Sequence, residues 1–212
     1  MKTIVCYGDS NTWGCSPINC ERIARNLRWT GALQSLLGDD YLIYEEGMNA
    51  RTTMFDDPIE PYRSGVAYIE PCMYTDSPVD LLVIMLGTND VKTHLGQTAF
   101  SISKGIERLI IAAQNPVFGR DNKPCEILIV SPVEIFKGVA HTWLGDYFNE
   151  NSVETARELA PRYKAMAELY GCHFMDAAAV AEPSPVDCVH MDEKNHAKLA
   201  RAIYSCVKEI LG

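Results

Sequence analysis

The sequence predicts an α/β protein, an open parallel sheet wrapped by helices in three α/β/α layers, and three observations predict it. Short apolar segments alternate with longer stretches of helical periodicity along the chain. The run Asp80–Leu86 is apolar almost without interruption, as expected of a strand covered on both faces. The apolar segments end in turn-forming residues, as at Gly8-Asp9-Ser10 and Gly87-Thr88-Asn89-Asp90, and no repeat or linker breaks the order, so residues 1–212 read as one domain.

In chain order, residues 2–7 form the first strand and Gly8–Gly14 a turn. Ala24–Leu37 carries Leu27, Leu33, Leu36 and Leu37 at helical spacing and stops at Gly38. Tyr41–Glu46 is the second strand, followed by a loop with Gly47, Asn49, Arg51 and two threonines. Asp56–Pro61 is turn-rich, and part of Gly65–Tyr74 is helical. After the third strand, a helix spans about Thr98–Gln114, and Glu126–Val130 is the fourth strand. Residues 133–150 form a long connection rich in aromatics, and Ser152–Tyr170 is helical. Cys172–Met175 is a short fifth strand, and Asp192–Leu211 is the terminal helix.

Composition excludes several classes of function. A formal charge of −9 without a basic cluster argues against a nucleic-acid partner. No apolar stretch approaches the ~20 residues of a membrane span, and the apolar start before Gly8 is too short for a signal-peptide core. The eight cysteines show no C-x-x-C pair and no ligand spacing with histidine. They read as buried free thiols, and the expected location is the cytoplasm. No metal is expected; a set of Asp187, His190, Asp192 and His196 has no recognisable ligand spacing. No G-x-G-x-x-G or G-x-x-x-x-G-K-S/T fingerprint is present, and no cofactor is expected.

In open parallel sheets ligands bind beyond the carboxyl ends of the strands. Ser10, the loop 47–53 and Asn89 each follow a strand, so three segments converge on one crevice. Ser10 reads either as a nucleophile or as a turn and cap residue. Asn89 reads as an amide donor for a developing oxyanion or as turn chemistry. Among five histidines, only His190 lies close behind an acid just ahead of the last helix: Asp187 can fold back onto its ring and leave the other nitrogen facing outward. His196, between Lys194 and Lys198, reads as solvated. Trp13 and Trp29 read as pocket-mouth or core residues. Trp143, in Trp143–Phe148, reads as part of a pocket wall and subunit contact, or as an internal loop packed on its own core.

Taken together, Gly8-Asp9-Ser10, Gly87-Thr88-Asn89-Asp90 and Asp187-Cys188-Val189-His190 resemble the sequence blocks of the SGNH hydrolases, also called GDSL esterases and lipases. The resemblance runs nearly end to end. It implies a flavodoxin-like sheet of order 2-1-3-4-5, with Ser10 as nucleophile, His190 as general base then acid, and Asp187 orienting it. The Ser10 N–H and Asn89 would hold the oxyanion. A third donor falls at Ala50, where relatives have glycine, with Gly47 as its competitor. Asn11 replaces the usual leucine after the serine and, with Trp13 and Trp143, is a pocket candidate.

Further stretches, including Arg28-Trp29-Thr30-Gly31 and Ala50-Arg51-Thr52-Thr53, resemble bacterial arylesterases and acyltransferases. That likeness implies a small-molecule ester substrate with a short acyl group, possible acyl transfer to alcohols, and a homo-oligomer. The alternatives are a carbohydrate acetylesterase with the same triad and a non-catalytic flavodoxin-like binding module.

Overall fold

A computed structural model describes residues 1–212. The strands β1 (Lys2–Gly8), β2 (Tyr41–Gly47), β3 (Leu81–Met85), β4 (Glu126–Ser131) and β5 (His173–Asp176) are all parallel, in the order β2-β1-β3-β4-β5. The helices are α1 (Ser10–Trp13), α2 (Trp29–Leu37), α3 (Gly65–Asp76), α4 (Ala99–Ala113), α5 (Glu150–Arg157), α6 (Leu159–Tyr170) and α7 (Glu193–Leu211). Alternate residues of each strand point to opposite faces, so the sheet builds two cores. Val5, Tyr7, Leu82, Ile84, Ile127 and Ile129 pack with α3, α4 and α6. Ile4, Cys6, Leu81, Val83, Leu128 and Val130 pack with α2 and α7. The architecture and strand order are those expected.

Several boundaries differ from expectation. The Ala24–Leu37 helix starts only at Trp29, because Arg28 is extended (φ −77°, ψ 149°). Its guanidinium reaches Glu45 on β2 at 2.6 and 3.0 Å, and Arg25 meets the same carboxylate at 2.8 Å, which holds the preceding turn against the sheet. Burial opposes the charge on Glu45, but these partners and Thr30 outweigh it and bring the carboxyl down to about 2. The Ser152–Tyr170 helix breaks at Glu158 into α5 and α6. Pro161 explains the break: it lacks the N–H that would bond to Arg157, and its ring would clash with that turn. The Gly8–Gly14 turn contains one short helix, capped by the Asp9 carboxylate on the Asn11 N–H and closed by Gly14 at φ 89°.

His196 corrects the reading of a solvated residue. It is fully buried, its Nδ1 accepts the Trp29 N–H at 3.3 Å, and burial pushes its pKa down to about 4. It lies on the inward face of α7, whereas its lysine neighbours in sequence lie elsewhere around the helix.

At the carboxyl edge, Gly8 of β1 pairs with Gly47 of β2 directly beneath α1. A Cβ on Gly47 would lie 2.2 Å from the Trp13 nitrogen and 2.6 Å from the Thr12 carbonyl carbon, both main-chain atoms that cannot swing aside. Gly47 is therefore a close-approach glycine that lets β2 run under the serine turn. Gly47→Ala is expected to destabilise the fold by about 1–3 kcal/mol, the usual range for overpacking, measured by denaturant unfolding. A change below ~0.5 kcal/mol would refute the close approach.

Two carboxyls are buried behind this edge. Burial raises Asp9 to about 6 against the Asn11 N–H bond and His190, and burial raises Asp90 to about 6 against its bonds from Thr53. A raised carboxyl binds its proton more tightly in the folded than in the unfolded chain. Its contribution to stability is therefore full below the ordinary value of 3.8 and is lost as pH rises to about 6. Asp9→Asn keeps the capping oxygen and removes the titration. Relative to wild type, this variant is expected to gain on the order of 2 kcal/mol between pH 4 and pH 7 in paired denaturation curves. A constant difference across that range would show that Asp9 is not held in this way.

Candidate active site

Ser10 opens α1 at the end of β1, and its Oγ lies 2.9 Å from His190 Nε2. On the other side of the ring, Nδ1 is 2.6 Å from Asp187 Oδ2. The second carboxylate oxygen accepts the main-chain N–H groups of Val189 (3.0 Å) and His190 (2.9 Å), so Asp187 is held by its own turn and is wholly buried. Cys188, between the pair, takes φ 67°, which folds the acid back under the ring. With the imidazole proton on Nδ1 facing the carboxylate, Nε2 accepts from the serine hydroxyl, and the series can relay a proton away from Ser10 Oγ.

Asn11 bridges the two ends of the chain at this point. Its Oδ1 accepts the Met191 N–H at 3.0 Å, and its Nδ2 donates to the Val189 carbonyl at 3.2 Å. The residues on either side of His190 are thereby fastened to the residue after Ser10. Asn11 does not line the cavity, so its expected place in the pocket is corrected: it is buried and fully occupied with main chain. Trp13 is also absent from the cavity wall; its ring lies under the Arg22 guanidinium at 5.2 Å.

Three candidate donors line the cavity beside Ser10 Oγ. The Ser10 and Ala50 N–H groups form no hydrogen bond within the protein. Asn89 Nδ2 donates one proton to the Arg51 carbonyl at 3.2 Å, which orients the amide and leaves the other proton free. Ser10, Ala50 and Asn89 all line one cavity of about 240 Å³. Asp90 ties the second and third segments together, accepting the Thr53 N–H at 2.9 and 3.0 Å and the Thr53 hydroxyl at 2.5 Å. Gly47, the competitor to Ala50, is a member of β2 and stands outside the cavity lining.

One wall is apolar, formed by Trp143, Leu144, Tyr147 and Phe148. The segment is both pocket wall and packed loop: Phe148 and Leu144 are core residues that also line the cavity, while Trp143 lines it and remains 54% exposed. The lining also includes the polar residues Asn49, Glu60 and Lys92; Asn49 belongs to the loop 47–53 expected at the crevice, whereas Glu60 and Lys92 carried no sequence signal. Lys92 is buried, pairs with Glu60 and lies 3.5 Å from Asp57, with its ammonium 5.2 Å from the Tyr147 ring centroid. Cys15 and Cys20 complete the rim as free thiols, and all eight cysteines are unpaired.

Comparison with known proteins identifies the family and the fold. The model of the GDSL-like lipase/acylhydrolase family matches residues 6–198. An aryl esterase from M. smegmatis is 36% identical with a TM-score of 0.93, each chain covered in full. A carbohydrate acetylesterase family member from Sinorhizobium meliloti is 37% identical with a TM-score of 0.91, again over both whole chains. An acetylxylan esterase from Xylanibacter ruminicola is 28% identical over 192 residues; the match takes in 83% of this chain but only 38% of that relative. The family's match from the first strand into the last helix encloses every residue of the serine–histidine–acid series, and the chain belongs to the GDSL-like lipase/acylhydrolase family, the SGNH ester hydrolases.

Proposed function

We propose that this chain is a serine esterase that hydrolyses short-chain acyl esters, aryl or alkyl, through an acyl-enzyme. The observation that carries the reading is the unbroken Ser10–His190–Asp187 series beside a small cavity with unused donors at its floor. His190 Nε2 takes the Ser10 proton as Oγ attacks the ester carbonyl. The carbonyl oxygen becomes an oxyanion within reach of the Ser10 and Ala50 N–H groups and the free Asn89 amide proton. Asp187 stabilises the imidazolium through Nδ1. When the intermediate collapses, Nε2 returns the proton to the leaving alcohol. Water, deprotonated by the same nitrogen, then attacks the acyl-serine and restores Ser10. An alcohol in place of that water gives acyl transfer, for which the apolar wall beside the acyl-serine offers a docking surface.

The cavity size favours a short acyl group, since about 240 Å³ lies below the ~300–1,000 Å³ typical of drug-sized ligand sites. Exposed Trp143 at the mouth, together with Ile59 and Tyr62 flanking Glu60 in the chain, supports assembly as a homo-oligomer that narrows the entrance. The set of free thiols supports a reducing, cytoplasmic setting.

A second reading, acetylated carbohydrate as substrate, is favoured by one feature of the cavity. Glu60, held by buried Lys92, presents carboxylate oxygens where the hydroxyls of a carbohydrate could donate. Acetylesterase relatives point the same way.

Ser10→Ala is expected to abolish p-nitrophenyl acetate hydrolysis and labelling by an organophosphonate, with the adduct on wild type located by mass spectrometry. Retained turnover would sink the nucleophile assignment. Asn89→Ala should lower kcat by roughly 100-fold, whereas an effect confined to KM would remove it from the oxyanion site. Substrate class is read from a pair of kcat/KM measurements, phenyl acetate against an acetylated sugar, in wild type and Glu60→Leu. The aryl reading expects little change in the preference for phenyl acetate. The carbohydrate reading expects a selective loss of roughly tenfold or more on the sugar, from loss of a hydrogen bond to a charged group.

A further inference from the structure

Away from the serine site, Glu46, Cys72 and Asp76 bring one thiol sulfur and two carboxylate oxygens within 4.8 Å of one another. The placement follows from the fold. Cys72 and Asp76 stand four residues apart on α3, hence on one face of that helix, and Glu46 is the penultimate residue of β2. Cys72 is 1% exposed and Asp76 7%, while Glu46 is only partly covered, so the group opens to solvent on the Glu46 side.

Buried carboxylates ordinarily have donors or a cation facing them. Here the one donor is the Cys72 thiol, and no cation is paired with either acid. Asp76 receives no hydrogen bond from any N–H or O–H; its single contact is the Cys72 thiol at 3.8 Å. The Glu46 carboxylate makes no side-chain hydrogen bond, and neither acid belongs to an ion pair. Arg51, whose charge acts on the Cys72 thiol through space, has its guanidinium committed elsewhere. Its guanidinium lies over the rings of Tyr7 at 4.1 Å and Tyr68 at 5.4 Å, and it donates to the main-chain oxygens of Gly8 and Glu46. Two acids and a thiol thus converge with no cation in direct contact with their ligand atoms.

We propose that Glu46, Cys72 and Asp76 form a binding site for a divalent, thiophilic cation of the zinc class, separate from the esterase centre. One thiolate with two carboxylates is a donor set of mixed softness that suits Zn²⁺ better than the all-oxygen preference of Mg²⁺ or Ca²⁺, and water completes a four-coordinate shell. Binding releases the Cys72 thiol proton to solvent. Glu46, the one partly exposed ligand, closes the set onto the ion. Its effect is structural: the ion ties α3 to the end of β2, four residues before Ala50, and braces the loop that presents that N–H.

The test uses the whole metal-free protein. Zn²⁺ is titrated calorimetrically, and Cd²⁺ by its ultraviolet thiolate charge-transfer band, in wild type, Cys72→Ser and Asp76→Asn. Wild type is expected to bind one equivalent and to melt at a higher temperature with zinc. Cys72→Ser should lose the cadmium band and the zinc-dependent rise in melting temperature, and Asp76→Asn should weaken zinc by roughly 10–100-fold. Absence of stoichiometric binding to wild type overturns the proposal. Binding unchanged in both variants does so as well, since the ion then sits at His190 or at another thiol. Circular dichroism establishes that each variant is folded. Should Cys72→Ser fail to fold, the near-isosteric Asp76→Asn decides by the same criterion.

Discussion

The serine–histidine series depends on how two ends of the chain are held together, and Asn11 holds them. Ser10 and His190 are 180 residues apart, and a proton can pass between them only near the 2.9 Å separation found here. The Asn11 amide bonds to main-chain groups of Val189 and Met191, one on each side of the histidine. A side-chain amide offers both a donor and an acceptor in one plane, so one residue fixes position and rotation together. Each bond contributes about 1 kcal/mol net, but a leucine in the same place would leave a buried N–H and a buried carbonyl unpaired, at about 1–3 kcal/mol each. The departure from the usual leucine is therefore a different way of docking the histidine loop, with no direct part in the cavity.

Below that clamp, the edge of the sheet is electrostatically expensive. Asp9 and Asp90 are both buried, and burial makes each harder to ionise, with the Asp9 charge adding to the effect at Asp90. Their positions explain why they are tolerated. Asp9 caps the short helix that begins at Ser10, and Asp90 gathers the Thr53 main chain and hydroxyl, aligning the Ala50 loop with Asn89. Both acids serve the positions of hydrogen-bond donors, so part of the stability of this edge is given over to geometry.

What the sequence made legible was the part set by local chemistry. Glycine, acid and serine at the end of an apolar run announce a turn at a strand's carboxyl end, and Asp187 with His190 fits one tight turn. These features need no knowledge of the tertiary structure. What it hid were residues whose role lies with partners far along the chain. Asn11 looks like any turn residue until Val189 and Met191 are beside it. His196 sits among lysines and looked solvated, yet the period of α7 turns it inward onto Trp29. Leu27 keeps the helical spacing that suggested a helix from Ala24, but Glu45 on a different element captures Arg25 and Arg28 and holds the chain there as a turn that becomes extended at Arg28. Glu60 and Lys92 became pocket residues only because a turn-rich loop folds over the cavity.

Backbone conformation shows where the fold accepts strain and for what return. Six residues other than glycine take positive φ, and three of them, Cys20, Ala50 and Cys188, lie in the cavity wall or in the turn beneath His190. A left-handed residue with a Cβ costs about 1–2 kcal/mol. At Cys188 that conformation folds the acid under the imidazole. At Ala50, φ 63° accompanies an N–H left free beside Ser10 and Asn89, the orientation a backbone donor needs. Glycine would reach this conformation with less strain, but it would lose more conformational entropy on folding, an advantage to alanine that recovers part of the difference. Alanine at the position where relatives carry glycine is thus compatible with the same donor, because the contribution comes from the direction of the N–H and not from the side chain.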